Sequence, residues 1–173
     1  MNQGKQNADF KSKGHGSYTE LPDQQSFFEA SKGSQRLVVH FYRFPFFSSW
    51  INSFFFFWLH TLNQSIKRPT TWRCQIVDKH LIELSEHHLE TKFAKINAEK
   101  SPFLAERLNI QVIPTLVLIL NGKVVDKVIG FDEIGGRDDF KTIALATRIK
   151  QVIQLKGNVY KDAKQKEEVF DDL

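Results

Sequence analysis

The chain has 173 residues, a single cysteine and a formal net charge of +4, and 41% of its residues are hydrophobic. That length suits one domain with a proper core and is short for two. The lone Cys74 excludes an internal disulfide, and Lys and Arg are spread without a long run, so no nucleic-acid footprint is indicated.

Residues 1–20 open with MNQGKQNADFKSKGHG, which lacks the apolar stretch of a signal peptide or membrane span. They read as a polar, flexible arm, and residues 21–157 as the domain. LPDQQSFFEASKGS predicts a short amphipathic helix, with Asp23 as its cap, Phe27, Phe28 and Ala30 turned inward and Gly33 at its end. RLVVHFYR, apolar and rich in β-branched and aromatic residues, predicts a buried strand. After the Phe-rich segment 44–68, CQIVDKHLIELSEHHL spaces Ile76, Val77, Leu81, Leu84 and Leu89 as a helix does. TKFAKINAE alternates as a strand around Phe93 and Ile96. SPFLAERL is a short helix with Ser101 as cap and Pro102 at its first position. PTLVLILNGKVVDKVIGF is a hairpin that turns at Asn121 and Gly122. The last helix is expected to open at Asp138 and Asp139, whose charge suits a positive helix end, and to bury Phe140, Ile143, Ala144 and Ile149. Residues 158–173 read as a charged, flexible tail.

A β-α-β unit followed by a hairpin and a closing helix makes an α/β fold, a mixed sheet with helices on both faces. This element order is that of the thioredoxin fold. NIQVIPTLVLILNGKVVDKVIGF, Asn109 to Phe131, resembles the thioredoxin segment in which a proline begins the third strand. The peptide before that proline is cis in the family, so the resemblance implies a cis bond between Ile113 and Pro114. SKGHGSYTEL, HFYR, CQIVDKHLIELSEHHLETKFAKINAEKSPFLAERLNIQVIPTL and VIGFDEIGGRDDF resemble the phosducin-like branch of the thioredoxin superfamily from about Ser12 to Ile149. The resemblance implies a binding protein without a cofactor. Its partners would be the cytosolic chaperonin and the chaperonin's tubulin and actin clients. The expected location is cytoplasmic, with the nucleus open as a second one. Members of the branch carry a long charged helical segment ahead of the KGHG phrase, which this chain is expected to lack.

One stretch breaks the likeness. Phe44–Arg68 places 25 residues, seven of them Phe, between a central strand and the helix it feeds, where short loops are the rule. Removing it leaves LVVHFYRPTTWRCQIVDKHL, which aligns without a gap to the thioredoxin pattern VVDFWAxWCGPCKMI. Arg43 and Arg68 flank the segment, so a retained intron translated in frame would account for both ends. The alternatives are a membrane-spanning helix and a partner-binding aromatic loop. Phe44–Leu62 nearly has the length to span, but it contains Pro45, Ser48, Ser49, Asn52, Ser53 and His60.

In the gapless alignment Thr71, Trp72, Arg73 and Cys74 fall on the dithiol motif, with Thr71 in the place of the nucleophile and Cys74 in that of the resolving thiol. A hydroxyl cannot replace a thiolate in disulfide exchange, so no catalytic dithiol residue is assigned. Cys74 is expected near a helix N-terminus beside Arg73, both of which lower a thiol pKa. It reads either as a packing residue or as the thiol of a monothiol redox protein. His40 falls on the position of the buried acid of thioredoxins, so that acid is expected to be absent. Asp78, His80, Glu83 and His87 share a helix and read as solvated charge, and no metal site is assigned.

Overall fold

The computed structural model describes residues 3–43 and 69–153; the segment 44–68 and the tail 158–173 lie outside the described residues. The elements are α1 (Gln3–Ser12), β1 (Tyr18–Leu21), α2 (Gln24–Gly33), β2 (Arg36–Tyr42), α3 (Pro69–His87), β3 (Lys92–Asn97), α4 (Pro102–Arg107), β4 (Thr115–Leu120), β5 (Lys123–Ile129), a 3-10 turn (Asp132–Ile134) and α5 (Thr142–Ile153). The sheet order is β1-β3-β2-β4-β5. The first three strands are parallel, and β4 and β5 run antiparallel to their neighbours.

Alternation along the strands divides the core. Val38, Phe93, Leu116, Leu118 and Val128 meet Val77, Leu81 and Leu84 of α3 and Leu145 and Ile149 of α5. On the other face Leu37, Val39, Phe41, Ala94, Ile96, Val117 and Ile119 meet Phe27, Ala30 and Leu104. Strands covered on both faces read as unbroken apolar runs, which is why RLVVHFY and TLVLIL carry no polar alternation. The hairpin turn uses Asn121 and Gly122 at φ of 52° and 75°, the conformation a two-residue hairpin favours. At the β5 edge a register shift and the Asp126 side chain, which accepts the Lys127 N–H at 2.7 Å, blunt an otherwise open strand.

Several expectations are corrected. Residues 1–20 are not an arm from Gln3 on: they form α1 and an edge strand, β1, that pairs with β3 from Tyr18 opposite Phe93 to Leu21 opposite Ile96. Hydrogen bonds anchor this segment where apolar periodicity is weak. The buried His15 donates from Nδ1 to the Leu89 carbonyl at 2.8 Å, accepts at Nε2 from Ser34 Oγ at 2.9 Å, and stacks on Phe10. Phe28 is exposed, because adjacent helix positions diverge by about 100° and Phe27 takes the inward one. Leu89 lies past the end of α3. Ser101 sits at the α4 N-cap without a side-chain bond there. Finally, α5 begins at Thr142: Asp138 is drawn to Arg73, Phe140 is buried ahead of the helix, and Ile143 and Ala144 are only half-buried. The buried face of α5 is Leu145, Ala146, Ile149 and Ile153.

Candidate functional site

The parallel strands β1, β3 and β2 end together under the first half of α3, the location where open α/β sheets place their sites. The Ile113–Pro114 peptide bond is cis and lies just beyond the Phe41–Thr115 pair that closes the β2–β4 ladder. Thr71, Trp72, Arg73 and Cys74 all fall within α3, which opens at Pro69. Trp72 is 56% exposed. Arg73 donates from Nε to Asp138 at 3.0 Å and sits over the Phe131 ring.

Cys74 is buried, and its sulfur accepts the backbone N–H of Arg43. Burial pushes its thiol up to about 11, and the Arg43 N–H offsets only part of this. The expected lowering is therefore corrected. Cys74 is the sixth residue of α3, past the first turn where the helix dipole acts, and it has lost the water that would solvate a thiolate.

Directly below lies a polar network the sequence did not announce. His40 stands fully buried on β2, and its Nδ1 lies 2.9 Å from Asp78 Oδ1 and 2.9 Å from the Tyr18 hydroxyl. Tyr18 donates to the same Asp78 oxygen at 2.6 Å, so the imidazole proton belongs on Nδ1 and Nε2 is the bare nitrogen. Lys95 reaches Asp78 Oδ2 at 3.2 Å and lies over the rings of Tyr18 and Tyr42, while Tyr42 donates to Glu20 at 2.6 Å. Burial alone would raise the Asp78 carboxyl; the bonds from His40 and Tyr18 and the charge of Lys95 hold it below the usual range. His40 is lowered by burial, against the opposing pull of Asp78. The network thus rests with a neutral imidazole beside a carboxylate.

Asp78 is accordingly not solvated charge. The acid absent from β2 is supplied from α3. Its position carried the signal: Asp78 follows Cys74 by four residues and precedes Leu81 by three, so all three share the inward helix face. Tyr18 and Lys95 gave no such signal, since both meet the network only through strand pairing. His80 donates to Thr142 Oγ1 at 2.7 Å and Thr142 donates to Glu83, whereas His87 is exposed and joins neither. Among the described residues no cluster of three His, Cys, Asp or Glu side chains has the arrangement to hold a metal ion.

A sequence model of the Thioredoxin family matches residues 70–137. Solved thioredoxins superpose well: a mutant thioredoxin from Halobacterium salinarum has a TM-score of 0.55 at 18% identity, covering 82% of this chain and 96% of that one. Spinach chloroplast thioredoxin F gives 0.53 at 18%, covering 87% and 94%. At such identity the likeness speaks to fold alone, and the chain is a thioredoxin-fold protein.

Sequence relatives narrow this. Bovine thioredoxin domain-containing protein 9 is 41% identical over 161 residues, covering 92% of this chain and 60% of that protein. Its Arabidopsis thaliana homolog is 45% identical over 146 residues, covering 83% and 57%. Drosophila melanogaster phosducin-like protein 3 is 42% identical over 157 residues, covering 88% and 61%. The chain is similar to these phosducin-like members of the thioredoxin superfamily, and it spans about 60% of the length of the relatives it matches.

Proposed function

We propose that the chain is a non-catalytic thioredoxin-fold binding protein that regulates the cytosolic chaperonin during tubulin and actin folding, in the cytoplasm and with the nucleus as a second location. The observation that carries the non-catalytic part is the one cysteine: Thr71 stands where the nucleophile belongs, and Cys74 is buried with its thiol near 11. At neutral pH such a thiol is almost entirely protonated, and no second thiol in the sequence can resolve a mixed disulfide. The binding role rests on likeness to the phosducin-like proteins, because fold by itself does not fix function. The test is co-sedimentation of the full chain with purified cytosolic chaperonin, alone and loaded with actin or tubulin. Stoichiometric binding that survives Cys74→Ser supports the proposal, and absence of binding to every form overturns it.

We also propose that Phe44–Arg68 is intron sequence read in frame and has no part in this function. The described chain supports that reading at the end of β2. The Arg43 N–H already bonds Cys74, Arg43 Nε pairs with Glu99 at 3.1 Å, and Ala98 N–H bonds the Tyr42 carbonyl at 2.9 Å, so strand end and helix lie side by side. The membrane-tethered alternative depends on that same segment; among the described residues no helix is long and apolar enough to cross a membrane.

A further inference from the structure

Asp78 holds α3 to all three parallel strands at once. One oxygen takes the Tyr18 hydroxyl of β1 and the His40 N–H of β2, and the other takes the Lys95 ammonium of β3. Before Asp78, Cys74 and Val77 are the buried side chains among the described residues of α3. Ile76 packs partly buried against the core, Trp72 points to solvent, and Arg73, over the Phe131 ring, makes an exposed ion pair with Asp138. After Asp78, Leu81 and Leu84 are fully buried and fix the helix to the core. The closed arrangement also leaves a defect: His40 Nε2 is buried with no hydrogen-bond partner among the described residues. A bare ring nitrogen without a donor is costly to keep from water, and opening would hydrate it.

We propose that the stretch of α3 up to Asp78 is a two-state flap, latched by Asp78 and released when His40 takes a second proton, so that opening uncovers Cys74 and the Tyr18–Lys95 floor beneath it. The groups facing His40 are Tyr18 from β1, Asp78 from α3, Lys95 from β3 and Tyr42 from its own strand; β4 presents the apolar Leu116. Asp78 attracts the imidazolium, but its bonds already go to Nδ1. The new proton lands on Nε2, where the closed flap offers no acceptor, and Lys95 adds like charge. Acid therefore favours the open state. The flap is independent of what the protein binds, so chaperonin binding and latch release stand or fall separately.

Cys74 reports the opening. Attack of its sulfur on 4,4′-dithiodipyridine forms a mixed disulfide and releases one thiopyridone, read by absorbance, with the reagent as the oxidant. The protection of Cys74 is the rate for the urea-unfolded chain divided by the rate for the folded chain, each at the same pH. Opening linked to one proton changes protection by at most about tenfold per pH unit. We expect protection to fall by about tenfold or more between about pH 7 and pH 5 in chain that remains folded by circular dichroism. Asp78→Asn should lower protection at both pH values, and His40→Phe, which cannot be protonated, should flatten the profile. Two results would overturn the latch: protection independent of pH in the unmodified chain, or protection that falls with small additions of urea as steeply as global stability does, since a local flap exposes far less surface than unfolding.

Discussion

At the scale of single residues, the KGHG turn is the most exacting part of the chain. Gly16 has φ of 84°, and a Cβ there would stand 2.7 Å from a Leu89 methyl group. Gly16→Ala therefore meets both backbone strain and a clash, and should cost about 1–3 kcal/mol, measured by urea denaturation. An unchanged midpoint would show that the turn is not tied to Leu89 as described. Burial of Cys74 leads to a second expectation: at neutral pH iodoacetamide should modify it far more slowly than it modifies the unfolded chain, because the reacting thiolate is scarce and covered. Labelling of the folded protein at the unfolded rate would contradict the burial.

Elements made from apolar periodicity were legible in the sequence, and those made from hydrogen bonds were not. β2, β3 and β4 bury residues on both faces, so their residue types announce them, and β5, which buries only Val128, is announced by the Asn121–Gly122 turn before it. β1 is four residues at a sheet edge with Thr19 and Glu20 exposed, and His15 secures the turn before it through two polar bonds. Nothing in a run of Lys, Gly and Ser predicts that. The site followed the same rule. The Thr71-to-Cys74 motif could be placed by alignment, but the partners of Asp78 come from three strands brought together by the fold. At this scale the join between β2 and α3 makes its own prediction. Chain lacking Phe44–Arg68, with Arg43 bonded to Pro69, should fold cooperatively with a melting temperature equal to or above that of the full chain, and with better solubility once the Phe cluster is gone. Loss of cooperative melting on deletion would make the segment part of the structure.

At the scale of the whole molecule, His15, His40 and His80 are buried and all three are lowered, chiefly by burial. In the unfolded chain each would titrate near its ordinary value of about 6.5. The unfolded state therefore binds more protons below that point. Stability should be fully present above about pH 7 and should fall as pH drops through the unfolded value toward the lowered folded ones. Urea midpoints across that range check this, and a flat profile would mean that the three rings ionise freely in the folded protein. The larger consequence concerns chemistry. The fold keeps the frame of a thioredoxin, with the cis Ile113–Pro114 bond, a half-buried ion pair and a helix over the strand ends, yet it presents no exposed thiol there. The most direct measurement is dithiothreitol-driven insulin reduction by the full chain beside its Cys74→Ser variant. Both should match the buffer rate and each other, whereas turnover above buffer that disappears in Cys74→Ser would contradict a non-catalytic protein.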